Sequence, residues 1–286
     1  MARMQGNDPT ADEPWLRFTN PPRVDGRAHV ERLPEDVGMP YTPLTKRALS
    51  LSFAVHKEQL DKSGMPYVYH PFHLADQMRT EEAACVALLH DTMEDGDIQL
   101  DDLRRLGFPT SVADAVAALT HDTAVPYLDY VLGLRSNPLA REVKLADLRH
   151  NSNLSRLAKV RPSDRRRRIK YLMAQALLDD QADWFDQGVN PPVWRKRIPL
   201  DDERLYFLSL FYTTEGEVLR CSLDVESASD EHYQFEASEL PALQHALDPQ
   251  APSFLAALCG VVLTQEPSAV LRILRTCGMS YQAFCY

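Results

Sequence analysis

The chain of 286 residues lacks a hydrophobic run long enough to cross a membrane. Its longest apolar stretch covers residues 254–263, whereas a membrane-spanning helix needs about 20 residues. The first fifteen residues lack the apolar core of a secretory signal. Five scattered cysteines, an odd number, do not suit a disulfide framework. These absences predict a protein of the reducing cytoplasm that has no membrane segment.

Positive charge is also scarce, since 31 basic residues face 41 acidic ones and the net charge is −10. Residues 41–182 carry 19 of each sign, whereas residues 183–286 carry 7 basic and 15 acidic side chains. No domain-sized segment has the basic excess that is typical of a general DNA or RNA binder. We therefore expect no nucleic-acid partner, although a small anionic substrate held by local cations remains compatible.

Residues 1–40 are rich in proline and acidic residues and have no periodicity, so we predict a disordered N-terminal arm. Within it, Trp15, Leu16 and Phe18 could dock elsewhere on the protein. From residue 41 to 182, apolar residues recur at spacings of three and four, which predicts an all-α domain. Thr80 and Ser163 are suitable residues for helix starts in this region.

After residue 183 the pattern changes to that of a smaller α+β domain over residues 190–286. Runs rich in β-formers at 204–214 and 217–225 flank Glu215-Gly216, which predicts a hairpin, and residues 232–235 suggest a third strand. Residues 240–247, 253–264 and 267–276 have helical patterns. No cluster of His, Cys and Asp suggests a second active site here. We expect a regulatory module that forms a homodimer or binds a protein partner.

Several polar residues of the helical region lie on faces that also carry apolar neighbours. His90 and Glu94 are four residues apart and share a helix face. Lys144, Asp147 and Asn151 follow the same rule at spacings of three and four. Polar groups on a core-facing stripe cost free energy unless they have partners.

A metal ion is one economical partner for such groups. Together with His56 and Asp91, the residues His90 and Asp147 would offer mixed imidazole and carboxylate ligands, which suit Mn²⁺, Fe²⁺, Co²⁺ or Zn²⁺. Each piece taken alone has an ordinary structural interpretation. A His-Asp pair is common, and His121-Asp122 is a second copy that we interpret as part of a loop.

Taken in order, these pieces resemble the metal-dependent HD hydrolase superfamily, and within it the RelA/SpoT-type (p)ppGpp hydrolase domain. The resemblance covers about half of the chain. It is carried by five blocks: Lys46-Arg47, His56, Ser-Gly-Met-Pro-Tyr-Val-Tyr-His-Pro at 63–71, Ala-Leu-Leu-His-Asp-Thr-Met-Glu-Asp at 87–95, and Val-Lys-Leu-Ala-Asp-Leu-Arg-His-Asn at 143–151.

The resemblance implies an all-α HD-domain helical bundle over 41–182 and assigns a role to individual residues. It implies a divalent metal, Mn²⁺ above all, and an acidic pair that positions or deprotonates the attacking water. His70, in the His-Pro pair, is expected to shape the fold rather than to bind metal. The implied roles are metal ligation for His56, His90, Asp91 and Asp147, catalysis for Glu94 and Asp95, and substrate binding for Arg47, Lys144 and Asn151.

The implied reaction is hydrolysis of the 3′-pyrophosphate of (p)ppGpp to GDP or GTP and pyrophosphate by a stand-alone small hydrolase. In one block the usual Ala-Asp-Arg-Leu-His-Asn order is replaced by Ala-Asp-Leu-Arg-His-Asn at 146–151. The arginine is thereby displaced by about 100° around the helix. Two alternatives stay open: the same site acting on (p)ppApp or on the 2′-phosphate of NADPH, and a nucleotide-sensing or antitoxin-like regulatory protein.

Overall fold

The computed structural model describes residues 38–179, 184–186, 193–200, 206–212, 218–225, 231–265 and 268–276. The arm predicted over residues 1–40 lies outside these ranges except for its last three residues. The turn predicted at Glu215-Gly216 also lies outside the described residues. A helical region followed by a small antiparallel sheet and further helices is confirmed. Within the described part of the chain, no helix combines the length and apolarity needed to span a membrane.

The region before the sheet consists of helices joined by short turns, as the periodicity predicts. Two 3-10 turns, Leu134–Ser136 and Leu154–Arg156, lie among them. The α-helices are α1 (Pro43–His56), α2 (Tyr69–Ala75), α3 (Glu81–Leu89), α4 (Thr92–Asp95), α5 (Leu100–Arg105), α6 (Thr110–Leu119), α7 (Tyr127–Gly133), α8 (Pro138–Ser152) and α9 (Pro162–Leu178).

Helix starts are set by local hydrogen bonds. The hydroxyl of Thr80 accepts from the backbone N–H of Ala83 at 3.1 Å, which confirms the start predicted there. The start predicted at Ser163 is wrong, because Ser163 lies inside α9. Instead, the Asp164 carboxylate accepts from the backbone N–H of Arg161 at 2.9 Å, and Pro162 occupies the first helical position.

Helix α3 forms the centre of the first part of the structure. Its residues from Ala83 to Leu89 are all fully buried, and α1, α2 and α6 pack against it. A helix that is apolar on every side is a core helix rather than an amphipathic surface helix. Because His90 follows α3 directly, the chain delivers a polar ring to the end of an apolar core element.

The sheet is antiparallel, and its strands lie in sequence order. Strands β3 and β4 confirm the predicted hairpin pairing, and β5 confirms the third run. The first two strands were not predicted, since β1 has only 3 residues and β2 carries Arg195, Lys196 and Arg197 in succession. The strands are β1 (Trp184–Asp186), β2 (Val193–Pro199), β3 (Tyr206–Tyr212), β4 (Val218–Val225) and β5 (Glu231–Glu236).

The three helices predicted after the sheet are confirmed as α10 (Leu240–Leu247), α11 (Phe254–Thr264) and α12 (Ser268–Thr276). Helix α11 packs against α7 and α9, which precede the sheet in the chain. The Ser253 hydroxyl accepts from the backbone N–H of Ala256 at the start of α11 and donates to the Asp129 carboxylate at 2.6 Å. A helix that follows the sheet in the chain therefore packs against two helices that precede it.

The chain divides into two compact units. The first runs to His121 and resumes over Asn137–Asp147, and the second comprises Asp122–Ser136 and the residues from Leu148 onward. The sequence-predicted boundaries at 41–182 and 190–286 stay a prediction about which segments fold independently.

Replacing Leu88 with alanine should destabilise the first unit strongly, because the side chain is fully buried in the middle of α3. We expect a loss of about 2–5 kcal/mol in the free energy of unfolding, measured by urea denaturation. Leu60→Ala is the matched control, since Leu60 is exposed, and it should change this free energy by less than about 0.5 kcal/mol. Equal losses for the two variants would contradict the central position of α3.

Candidate metal centre

Four segments of the first unit meet at one buried site. Helix α1 ends on His56, α2 carries His70 near its start, and the junction between α3 and α4 carries His90 and Asp91. Helix α8 contributes Asp147 from a much later part of the chain. His56, His70, His90 and Asp147 are buried, although their side chains are polar. Such burial requires partners for every polar atom.

The histidines and aspartates lie close enough to share one cation. Nε2 of His90 is 2.8 Å from Oδ2 of Asp91, and Nε2 of His70 is 3.2 Å from Oδ1 of Asp147. Nε2 of His70 is also 3.9 Å from Oδ2 of Asp91. His70, His90 and Asp147 each offer a ligand atom, and these three atoms all lie within 4.8 Å of one another.

The rings of His90, His70, Tyr67 and His56 form a row in which each contacts the next. The ring centroids of His90 and His70 are 5.1 Å apart, those of His70 and Tyr67 are 5.4 Å apart, and those of Tyr67 and His56 are 5.1 Å apart. The Tyr67 hydroxyl donates to Oδ2 of Asp91. Tyr67 therefore stands between His56 and His70 and ties the loop before α2 to the Asp91 carboxylate.

Hydrogen bonds on the far side of the rings set their tautomers. Nδ1 of His90 lies 2.9 Å from the Ala87 carbonyl, which can only accept, so Nδ1 carries a proton and Nε2 is the nitrogen that a metal ion could use once the ring is neutral. Nδ1 of His56 contacts Oε1 of Gln59 at 2.8 Å, which has the same effect. Partners of this kind commonly orient the histidines that bind metals.

The donor set fits a divalent cation. Nε2 of His56 and Nε2 of His90 are buried and have no hydrogen-bond partner among the described residues, and the short contact of His90 with Asp91 is not aligned as a hydrogen bond. Two ionised carboxylates, Asp91 and Asp147, lie beside these nitrogens. A cation would satisfy the unpaired nitrogens and offset both negative charges.

The pKa values of Asp91 and Asp147 are both lowered by neighbouring groups. Burial opposes ionisation of Asp91, but the neighbouring His90 and the Tyr67 hydroxyl outweigh it and lower the pKa of Asp91 to about 2. Burial likewise opposes the ionisation of Asp147, yet Lys144, with Nζ 3.0 Å from Oδ2, holds that pKa well below its usual range. Both carboxylates are therefore charged at neutral pH.

The pKa values of His90 and His56 shift in opposite directions. Burial alone would lower the pKa of His90, but the carboxylates of Asp91 and Asp147 raise it to about 9. Burial lowers the pKa of His56, which keeps its ring neutral. A metal ion bound at Nε2 of His90 would have to displace a proton from that ring.

The two predicted catalytic acids have different surroundings. Oε1 of Glu94 accepts from the backbone N–H of His121 at 2.6 Å, so this carboxylate holds the loop after α6. Oδ2 of Asp95 lies 3.7 Å from Nδ1 of His56. Burial and the charge of Asp91 raise the pKa of Asp95. Asp95 is thereby electrostatically coupled to Asp91 and His56.

The predicted substrate-binding residues are more dispersed. Lys144 contacts the Asp147 carboxylate, as described above. The guanidinium of Arg47 donates to the Leu106 carbonyl at 2.6 Å and so holds the end of α5. Asn151 lies on α8 one turn beyond Asp147, and its side chain is exposed.

The sequence interpretation missed His70 as a candidate ligand. His70 was expected to shape the fold, whereas the structure groups its ring with His90 and Asp147. His56, which the resemblance implies as a ligand, is not part of that group and lies behind the Tyr67 ring. The signal was present in the sequence, because His70 belongs to the block at 63–71 that carries the resemblance.

Comparison with known proteins bears on this helical region. No family model matches the chain. Over 115 residues, the chain is 36% identical to the guanosine-3′,5′-bis(diphosphate) 3′-pyrophosphohydrolase MESH1 of Mus musculus, a match that covers 35% of this chain and 63% of the mouse protein. A protein of the same enzymatic name from Aquifex aeolicus is 31% identical over 114 residues, which cover 36% of this chain and 16% of the relative.

The resemblance to RelA/SpoT-type (p)ppGpp hydrolases is confirmed. The chain spans less than two thirds of the length of these curated relatives. A solved structure, described as a metazoan ortholog of SpoT that hydrolyses ppGpp, has a TM-score of 0.42 and 21% identity, and it covers 49% of this chain and 87% of that one.

Tyr67→Phe should weaken metal binding to this (p)ppGpp-hydrolase-like site, because it removes the hydroxyl that orients Asp91 and keeps the ring. We expect a drop in Mn²⁺ affinity of about 10–100-fold, measured by isothermal titration calorimetry. Tyr69→Phe makes the same chemical change at an exposed tyrosine and should leave the affinity unchanged. Loss of affinity in both variants, or in neither, would contradict the orienting role of Tyr67.

Proposed function

We propose that this chain hydrolyses the 3′-pyrophosphate of (p)ppGpp in a reaction that depends on a divalent metal. The observation that carries the proposal is the buried group of His70, His90 and Asp147, with the half-buried Asp91 beside His90 and an acidic pair one helical turn further on. The chain is also similar, over 115 and 114 residues, to proteins named as guanosine-3′,5′-bis(diphosphate) 3′-pyrophosphohydrolases, which supports this proposal. In the reaction, water and ppGpp yield GDP and pyrophosphate as the bond between the 3′ oxygen and the pyrophosphate breaks.

We assign metal ligation to His70, His90, Asp91 and Asp147, and we expect Mn²⁺. Imidazole and carboxylate ligands together suit Mn²⁺ and neighbouring first-row ions. When bound, a divalent ion supplies Lewis acidity, which makes water a better nucleophile and offsets phosphate charge. The resemblance assigns ligation to His56 as well, and its unpartnered Nε2 supports a place close to the metal.

We assign to Asp95 the role of accepting the proton of the attacking water. Its carboxylate lies at the edge of the buried cluster, about two-fifths exposed, and its raised pKa brings it closer to neutrality than an ordinary aspartate. Glu94 supports this step from outside by holding the loop at His121. Tyr67 and Lys144 keep the carboxylates of Asp91 and Asp147 oriented.

Substrate contacts are assigned to Lys144, Asn151 and Arg47. Lys144 contacts the Asp147 carboxylate, so it offers both an anchor for Asp147 and a positive charge for phosphate. Asn151 lies on the same helix and is accessible to a nucleotide sugar. Arg47 is already engaged by the Leu106 carbonyl, so a role against the guanine base would require it to exchange that partner.

The remaining assignments concern the molecule as a whole. We propose an HD-type helical bundle for the hydrolase region, a cytoplasmic location, and a regulatory or dimerising role for residues 190–286. The acidic excess of that segment supports a basic protein partner over a nucleic acid.

The direct test is a product assay with purified protein and Mn²⁺. ppGpp should be converted to GDP and pyrophosphate, and both the Asp91→Ala variant and a chelator should abolish turnover. ppApp and NADPH serve as comparison substrates with the same metal and pH. Selective turnover of either would keep the chemistry and overturn the guanosine substrate, whereas metal binding without turnover of any substrate would overturn the hydrolase proposal.

Substitutions of Asp95 and Glu94 should lower kcat to different extents. Asp95→Asn removes the proton acceptor and should lower kcat by about 10²–10⁴-fold with little change in metal affinity. Glu94→Gln keeps an oxygen that can accept from the His121 N–H and should lower kcat by less than about tenfold. Steady-state assays of both variants distinguish these roles, and equal losses would contradict the assignment.

A further inference from the structure

An apolar cavity lies on the outer side of α1 and α2. Its volume is about 250 Å³, and its lining is formed by Leu49, Ser52, Phe53, Val68, Tyr69 and Phe72. Pockets for small-molecule ligands usually measure about 300–1,000 Å³, so this one is small for a nucleotide. It is suited to one or two apolar side chains.

Two of the side chains that line the cavity are apolar and exposed. Phe53 and Tyr69 are 53% and 60% exposed. Within the described residues, five of the six large apolar side chains that are exposed belong to residues 41–69, namely Tyr41, Phe53, Leu60, Met65 and Tyr69. Two exposed aromatic side chains that line one apolar cavity are typical of an interaction surface, whereas exposed apolar residues scattered singly are ordinary.

The chain enters the described structure beside these same two helices. The backbone N–H of Met39 donates to Oδ1 of Asp76, directly after α2, and the Met39 side chain is buried. A Cβ atom at Gly38 would overlap the Asp76 carboxylate, so the backbone is held close to the end of α2. Thr42 then caps α1. The N-terminal segment is therefore tethered to the helix pair that forms the cavity.

That segment contains one compact apolar group, Trp15, Leu16 and Phe18, in an otherwise polar sequence. Gly38 follows Phe18 by twenty positions, and a chain of that length can span at most about 70 Å. Helix α1 is about 21 Å long, so every point along it is within reach. A tether of this kind gives an effective concentration in the millimolar range, which makes a weak contact sufficient.

We propose that the cavity between α1 and α2 is an intramolecular docking site for the segment Trp15–Phe18. The aromatic side chains of the segment occupy the space between Phe53 and Tyr69. The docked segment lies against the outer surface of the residues that lead to His56, three positions after Phe53, and to His70, directly after Tyr69. Docking thereby gives the N-terminal arm a physical contact with the elements that position the candidate metal centre.

The test is limited trypsin digestion of the full-length protein, followed by mass spectrometry. Cleavage after Arg17 requires the segment to leave the cavity, so its rate follows the population of the undocked form. Cleavage after Arg32, outside the apolar group, is the internal reference. We expect Trp15→Ala, Phe53→Ala and Tyr69→Ser each to raise the Arg17-to-Arg32 rate ratio about threefold or more.

Matched controls separate docking from general loosening. Thr10→Ala alters the arm outside the apolar group, and Val125→Ala removes an exposed apolar side chain that does not line the cavity. Both should leave the rate ratio at the wild-type value. Circular dichroism melting of each variant checks that Phe53→Ala and Tyr69→Ser remain folded.

The alternatives lead to different results. A rate ratio that is the same in wild type, Trp15→Ala and Phe53→Ala would overturn docking. An effect of Trp15→Ala without any effect of Phe53→Ala and Tyr69→Ser would place the segment elsewhere and overturn this cavity as its site. Protection that is lost on tenfold dilution would identify the arm of a second copy as the occupant and overturn the intramolecular form, whereas protection independent of concentration supports it.

Discussion

Two carboxylates, the buried Asp147 and the half-buried Asp91, impose the main constraint on the first unit. Ionised groups in a protein interior are stable only when opposite charges and hydrogen-bond donors surround them. Lys144 and His90 provide partners from nearby positions in the chain, whereas Tyr67 and His70 provide them from a distant segment. Because Tyr67 contacts Asp91 and His70 contacts Asp147, satisfying the two charges also ties the start of α2 to the end of α3 and to α8.

The apolar core makes this arrangement rigid. Helix α3 is buried along its length, and the chain turns at its end so that His90 and Asp91 lie side by side. Close-packed interiors have low compressibility, which helps to hold the rings and carboxylates in place. The same packing limits how the exposed face of α1 and α2 can move without affecting His56 and His70.

Much of the site was accessible from sequence, because its residues occur in short blocks with helical spacing. The periodicity predicted the helices before and after the sheet, and the blocks indicated His90, Asp91 and Asp147. Local patterns failed where partners lie far apart. Strand β2 depends on pairing with β3, and β1 depends on pairing with β2, rather than on their own composition. Arg47 donates to the backbone carbonyl of Leu106, a contact that no spacing rule predicts.

The amino-acid sequence by itself determined the helical periodicity, the order of the blocks and the resemblance to (p)ppGpp hydrolases. Tertiary structure decided which polar residues share a cation-sized space. His56 and His70 are both histidines within these blocks, and only three-dimensional packing places the His70 ring against Asp147 and inserts Tyr67 between the two histidines. Ligand sets depend on distances of a few ångströms between elements, and periodicity within one element carries no information about those distances.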